Sequence, residues 1–345
     1  MVGLGSIGQR HVRNLRTLLG NSVGISATRK RGLSHVLSDS MGVVPGENVE
    51  NKYNIKCLEN IETALEDEPQ AVFVTNPSSL HVPIALAAAR RGCHLFVEKP
   101  LSHTYDSVED LIALAEGQNL ITLVGYQMRF HPCLQHLHAA LQRRQIGRIL
   151  AVRVEIGEYL PEWHPYEDYR TSYASQHALG GGVLLTQIHE LDYIYWLFGP
   201  PRKVFALGGK LSSLDVDVED VMSILLECVV DGVPVPVQIH QDYVQRPPAR
   251  TCQIIGDRGK ILVDLLGCSI QIFNATGNIA ESRTFSDFQK NQLFLDELKH
   301  FLACLNGQET PQVTLREGAQ SLRVALAARR SLETGQVVEM ESDGV

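Results

Sequence analysis

The 345-residue sequence lacks the short metal and redox signatures. It has no CxxC pair and no HExxH segment. Its seven cysteines, Cys57, Cys93, Cys133, Cys228, Cys252, Cys268 and Cys304, are odd in number and widely spaced. That pattern argues against a disulfide framework and predicts reduced, mostly buried thiols in a cytoplasm. No apolar run approaches the roughly 20 residues of a membrane helix. No basic–apolar–small leader opens the chain, so secretion is not expected. Basic charge is in deficit, 31 Lys and Arg against 39 Asp and Glu. A general nucleic-acid or anionic-membrane surface is therefore not expected, although a local basic pocket is compatible with this balance. Neither an internal repeat nor a low-complexity tract is present, and no acidic residue occurs before Asp39.

What is present suits a globular protein. Hydrophobic residues make up 44% and charged residues 20%, and the length allows two ordinary domains. Residues 3–8 read GLGSIG, a G-x-G-x-x-G match. Gly3 permits a tight turn, Gly5 a close approach of backbone to pyrophosphate, and Gly8 close helix–sheet packing. Ser6 and Ile7 then open a helix running to about Leu19, whose N-terminus offers unpaired N–H groups to phosphate. Only Met1 and Val2 precede the motif, whereas a buried strand takes about five residues. The first strand is thus very short or starts before this sequence.

Short apolar strands at 23–27, 71–75, 95–97 and 121–124 alternate with helices at 82–91 and 106–116. This predicts an α/β domain with a parallel sheet covered on both faces, over residues 1–125. Ligands bind beyond the carboxyl ends of such strands. That places Thr75, Asn76, Pro77, His81, Glu98 and Lys99 on the ligand side, with Gln127 just after the last strand.

From 126 to 345 the pattern changes. A helix is expected at 132–144, a long strand at 149–157, and an ordered loop rich in aromatics at 158–177. One helix follows at 183–198. Strands are expected at 204–208, 221–228, 233–240, 251–255, 260–263 and 269–273, then helices at 288–305 and 316–333. Short connections such as Asp231-Gly232 predict an α+β domain with an open, largely antiparallel sheet.

Three signatures now stand in order: GLGSIG at 3–8, EKPLS at 98–102 and GGGVLLTQIHELDYIYWLFG at 180–199, with GYQMRFHP at 125–132 at the junction. Together they resemble the Gfo/Idh/MocA oxidoreductases. The resemblance implies a Rossmann domain, an open-sheet second domain, and hydride transfer at a hydroxyl or ketone carbon of a sugar-derived substrate. It places Lys99 beside nicotinamide and substrate and His189 at the acid/base position. It also implies a homodimer or homotetramer formed through the sheet region 202–273. Many relatives carry an aspartate three positions before the histidine; this chain has Thr186, which hydrogen-bonds but is no carboxylate.

The chemistry agrees. A neutral histidine accepts a hydroxyl proton near physiological pH, and a lysine ammonium favours developing negative charge on oxygen. The plain alternatives are a structural His189, a Lys99–Glu98 surface pair, and a fold that binds the nucleotide without turnover. Asp192 either orients the histidine's helix or forms an ordinary ion pair. Tyr169 and Arg170 in WHPYEDYRTSY, and Arg129 at the junction, are candidate substrate contacts, the two arginines suiting a carboxylated or phosphorylated sugar, such as a sugar acid or a nucleotide sugar; aromatic packing and ion pairs are the alternatives. No sequence pattern specifies a metal.

The segment ATRKRG at 27–32 stands where NAD-specific sites carry an acid. Thr28, Arg29 and Lys30, with Arg31 beyond, instead predict a preference for NADP over NAD, with Arg29 on the 2′-phosphate, or Lys30 or Arg31 there if the strand ends one residue later. A solvated basic loop is the alternative.

Overall fold

The computed structural model describes residues 1–30, 35–38 and 42–340; Arg31 lies outside these. The first helix, Ser6–Leu19, forms because Val12 and Leu15 give it a buried apolar face, and Gly20 at φ 61° ends it. The strand ahead of it shrinks to a single bridge: Val2 pairs in parallel with both Thr28 and Val74. Strands Ile25–Thr28 and Ile55–Leu58 lie on one side of it. Ala71–Val74, His94–Glu98 and Thr122–Gly125 lie on the other. Counting Val2 as strand one, the order is 3-2-1-4-5-6, the dinucleotide-binding arrangement, with its switch point between Val2 and Ala71–Val74. The second strand is longer by one residue at its carboxyl end than the sequence suggests, so Thr28 belongs to it.

Five elements of this domain had no clear sequence signal. Ile55–Leu58 is half-exposed, so it lacks the apolar run of its neighbours. The hairpin His35–Leu37 with Val43–Asn48 is short and mostly exposed on its second strand. Helices Val49–Tyr53 and Ile61–Glu66 are one to two turns long, each started by an asparagine side chain, Asn48 or Asn60, accepting first-turn N–H groups.

The second domain is built on a nine-stranded sheet. All its pairings are antiparallel except one, Val233–Asp242 beside Ile149–Gly157. Strand alternation sends Ile224, Ile239, Val154, Cys252 and Val263 to the covered face. Leu225 and Leu207 go to the open one, where both are exposed. Helix Leu315–Thr334 starts at Thr314, whose hydroxyl accepts from Glu317 N, and stops at Gly335 in the left-handed region.

The C-terminal helices also pack on the first domain. Phe301 of Lys290–Leu305 meets Phe73 and Phe96 edge-on, at 5.6 and 5.5 Å between ring centres. Val124 N donates to Val313 O at 2.9 Å. The last parallel strand is thereby tied to the far end of the chain. All seven cysteines are free, six of them buried. No helix among the described residues is long and apolar enough to cross a membrane.

Candidate active site

The glycine loop is a close-packed turn with one open side. A Cβ on Gly8 would stand 2.3 Å from Gly3 O, and one on Gly3 2.9 Å from Thr75 O. A Cβ on Gly5 would meet nothing within 4 Å. No side chain caps the first turn of Ser6–Leu19. Thr75 pins the loop by donating its hydroxyl to Gly3 O at 2.8 Å. Beside it the Asn76 side-chain amide is buried, with no hydrogen-bond partner for either Nδ2 or Oδ1. Open space over Gly5, uncapped N–H groups and an unsatisfied amide are what a dinucleotide needs, so these residues fit one.

Not every expected cofactor residue faces that space. His81 is buried and clamps two loops, its ring nitrogens 2.8 Å from Pro100 O and from Asn76 O. Pro77 precedes the turn Ser78–Leu80 that leads into the helix carrying His81. Glu98 is also buried; its Oε1 lies 2.6 Å from His11 Nε2. A Cβ on Gly125 would sit 3.2 Å from the Glu98 carboxyl, so that glycine makes room for it. His11, in the first helix, escaped sequence reasoning because nothing at helical spacing marks its partner 87 residues away. At the end of the second strand, Thr28 is buried, and Arg29 already pairs with Glu50 of Val49–Tyr53.

Lys99 and His189 come together. Lys99 Nζ donates to the Thr186 carbonyl at 2.6 Å. Burial lowers the Lys99 pKa to about 8, with Arg250 pushing the same way against Glu98 and Glu190. The His189 pKa falls well below its ordinary value, first by burial, then by Lys99, Arg250 and Lys290. Gln127 Nε2 lies 3.2 Å from His189 Nε2, while His189 Nδ1 and Gln127 Oε1 are buried without partners. With the amide drawn as donor, the ring proton resides on Nδ1 and the lone pair on Nε2.

The single helix expected at 183–198 is in fact two, Val183–Thr186 and His189–Phe198. Tertiary bonds break it: Gln187 O accepts from Gln241 Nε2 at 2.7 Å, and Gln187 Nε2 donates to Asp242 O at 3.0 Å. The break frees the Thr186 carbonyl for Lys99. The Thr186 hydroxyl points elsewhere, bonding Gly182 O and the Tyr243 hydroxyl. Thr186 thus acts on Lys99 through its backbone, which a comparison with aspartate at that position does not reveal.

The arginines expected to touch substrate are differently employed. Arg129 is buried and forks onto Asp192, at 2.9 and 2.8 Å. Asp192 also accepts from Ser321, so this pair anchors the His189 helix to the domain junction. Its guanidinium lost its water in the core, and Asp192 supplies the compensating charge. Arg170 is exposed and forks onto Asp168. The Tyr169 hydroxyl accepts from Asp215 N at 3.2 Å. The aromatic loop carrying them is broken by four short 3-10 turns between Leu160 and Leu179.

Three further groups enter the site from the second sheet and the C-terminal helix. Arg250 forks onto buried Glu190, at 2.7 and 3.1 Å. Glu158 follows strand Ile149–Gly157, and Lys290 opens helix Lys290–Leu305. Both interact electrostatically with Arg250. No sequence spacing links these three positions. Elsewhere, His131, Cys133 and Cys268 place candidate ligand atoms within 4.8 Å of one another. However, the His131 nitrogens already face Cys133 N and Leu265 O, and burial pushes both thiols up.

Residues 1–126 match the description "Oxidoreductase family, NAD-binding Rossmann fold", and residues 134–262 match "GFO/IDH/MocA C-terminal domain". The chain belongs to the Gfo/Idh/MocA family. It is accordingly an NAD(H)-dependent oxidoreductase. A myo-inositol 2-dehydrogenase of Thermotoga maritima is 25% identical over 99% of this chain and 98% of its own. A D-xylose 1-dehydrogenase (NADP(+)) of Haloferax volcanii is 24% identical over 80% of this chain and 82% of its own. Among solved structures, the WlbA dehydrogenase from Bordetella pertussis, in complex with NADH and UDP-GlcNAcA, shares the fold at TM-score 0.78. Its identity is 21%, covering 99% of this chain and 98% of that one.

Proposed function

We propose that this Gfo/Idh/MocA member interconverts a secondary hydroxyl and a ketone on a sugar-derived substrate, working in the cytoplasm. The convergence of Lys99 and His189 just past the carboxyl ends of the parallel strands, Lys99 on Thr186 O and His189 on Gln127, carries this reading. Gly3, Gly5, Ser6, Ile7, Gly8, Thr75 and Asn76 would hold the dinucleotide, with Glu98 and Gln127 near its reactive end. The nicotinamide supplies the hydride acceptor or donor.

The protein's own residues handle the oxygen and the proton. The Lys99 ammonium has three donors; one holds Thr186 O and two remain for substrate oxygen. Neutral His189 offers its Nε2 lone pair, held by Gln127 until a substrate hydroxyl replaces it. In oxidation, His189 takes the hydroxyl proton as hydride leaves carbon, and Lys99 stabilises the negative charge growing on oxygen. Reduction runs the same steps backwards.

A sugar panel assayed with NAD(H) and NADP(H) tests this. Lys99→Ala and His189→Phe should each lower kcat at least 100-fold, with cofactor binding retained. Unchanged turnover in both variants would reject the assignment.

The preference for NADP(H) is the finer proposal, supported by Thr28, Arg29 and Lys30 at the end of the second strand. The Arg29–Glu50 pair sets its condition: a 2′-phosphate must win Arg29 from that carboxylate. Arg29→Ala should then lower efficiency with NADP(H) and spare NAD(H). Better wild-type turnover with NAD(H), with no selective loss in the variant, would discard the preference. The homodimer or homotetramer is likewise proposed, through the open sheet face.

A further inference from the structure

We propose that His11 is a positioning residue for Lys99: its ring holds the Glu98 carboxylate against the Lys99 backbone, and that carboxylate steadies the Lys99 ammonium. The role rests on the sugar-oxidoreductase reading and adds to it a residue that acts through two others. His11 lies in the first helix, three residues beyond Gly8, and is fully buried. Aromatic rings fix its plane. Phe96 meets it edge-on at 4.8 Å between ring centres, and Phe294 of helix Lys290–Leu305 at 6.3 Å. Packed so, the ring aims Nε2 at Glu98 Oε1, 2.6 Å away, and leaves Nδ1 without a partner. The other carboxylate oxygen, Glu98 Oε2, accepts from Lys99 N at 3.2 Å. Lys99 Nζ then reaches Thr186 O at 2.6 Å. A line of hydrogen bonds thus runs from the helix behind the glycine loop to the proposed catalytic ammonium.

The first of these bonds also decides where charge resides. Glu98 is 6% exposed, and a buried carboxylate stays ionised only when it is hydrogen-bonded or paired. Among the described residues, His11 is the side chain that hydrogen-bonds it. Glu297, buried on helix Lys290–Leu305, lacks such help, and neither of its oxygens has a partner. Burial first, then Glu98 and Asp192, push its pKa well above the usual carboxylate value. Glu297 therefore holds a proton and Glu98 the charge. That charge bears on Lys99. Burial lowers the Lys99 pKa, and Glu98 is the largest influence opposing it; Arg250, Glu190 and Glu158 follow. His81 and Tyr173 are the other titratable groups on which Glu98 acts. Without the His11 donor, Glu98 keeps one backbone N–H at 3.2 Å in a buried site. It then takes up a proton or turns away, and Lys99 loses the carboxylate that keeps it charged.

Three variants separate the parts. His11→Met removes the donor and keeps an apolar chain of similar length, His11→Gln keeps an amide donor, and Glu98→Gln removes the charge but keeps the shape. Two readouts are followed across pH. One is kcat/KM for alcohol oxidation on the sugar panel. The other is labelling of Lys99 by trace acetic anhydride, read by mass spectrometry, which needs no turnover. His11→Met and Glu98→Gln should each move the labelling midpoint and the alkaline limb of kcat/KM to lower pH by about one unit. At pH 8 that shift lowers kcat/KM about 5-fold. His11→Gln should restore both readouts, and His11→Met added to Glu98→Gln should move neither further. If His11→Met does not fold, His11→Asn, whose amide stops short of Glu98, takes its place. An unmoved labelling midpoint in both single variants, additive shifts in the double variant, or loss of thermal stability alone in His11→Met overturns the inference. Turnover that keeps its wild-type limb in both variants overturns it while leaving the oxidoreductase reading intact. A midpoint that falls in both variants, in a protein that turns over no panel sugar, supports the link from His11 to Lys99 and counts against the proposed reaction.

Discussion

Lys99 shows how position alters an ordinary side chain. On a surface its ammonium would persist far above neutral pH. Here burial brings its pKa to about 8, so the ammonium proposed to stabilise the substrate oxygen disappears within an accessible range. The sign is definite: the charged form dominates below about 8 and is lost above it. kcat/KM for alcohol oxidation should therefore fall above pH 8, while the lowered pKa of His189 keeps its ring unprotonated through neutrality. Arginine does not titrate in this range. Lys99→Arg, if it retains measurable turnover, should lose that alkaline limb; a limb persisting near pH 8 would assign it to another group.

At the scale of elements, the glycine loop separates folding from binding. Gly5 has φ -69°, which any residue adopts, and open space where its Cβ would be. Gly5→Ala should fold with nearly wild-type thermal stability and bind NADH at least 10-fold more weakly, because the added methyl would occupy the open side of the loop proposed to receive the cofactor. Gly8 faces a backbone carbonyl instead, so Gly8→Ala should cost about 2 kcal/mol or more in unfolding stability. Denaturant unfolding and fluorescence titration of both variants check the pair. The broken helix belongs to this scale too. Val183–Phe198 has an uninterrupted helical pattern in sequence, with no Gly or Pro inside it. Gln241 and Asp242, about 55 residues on, open it by competing for the Gln187 backbone and side chain.

Across the whole molecule, the second sheet is covered on one face and open on the other. Leu207 and Leu225, 60% and 51% exposed, stand on adjacent antiparallel strands of the open face. Large apolar side chains exposed together on a broad sheet mark an association surface. The native protein should have the mass of two or four chains by light scattering. The double variant Leu207→Glu, Leu225→Glu should shift it toward a single chain without loss of secondary structure. A monomeric wild type across a wide concentration range would refute the assembly.

Local pattern carried much of the architecture. G-x-G-x-x-G, short apolar strands and alternating runs specify a parallel domain and a largely antiparallel one, because periodicity and turn chemistry act over a few residues. Lys99 and His189 were singled out through the family resemblance of two compact motifs, EKPLS and the run at 180–199, and their catalytic roles are proposed on that basis. Arg129 and Arg170 were not assignable that way. A guanidinium's role depends on which carboxylate reaches it, and Asp192 and Asp168 were the ones that did. The Thr186 carbonyl on Lys99, the Arg29–Glu50 pair and the meeting of Arg250, Glu158 and Lys290 were decided by tertiary structure alone. Charges and hydrogen bonds act through space at a few ångströms, and folding brings to that range residues that no spacing along the chain connects.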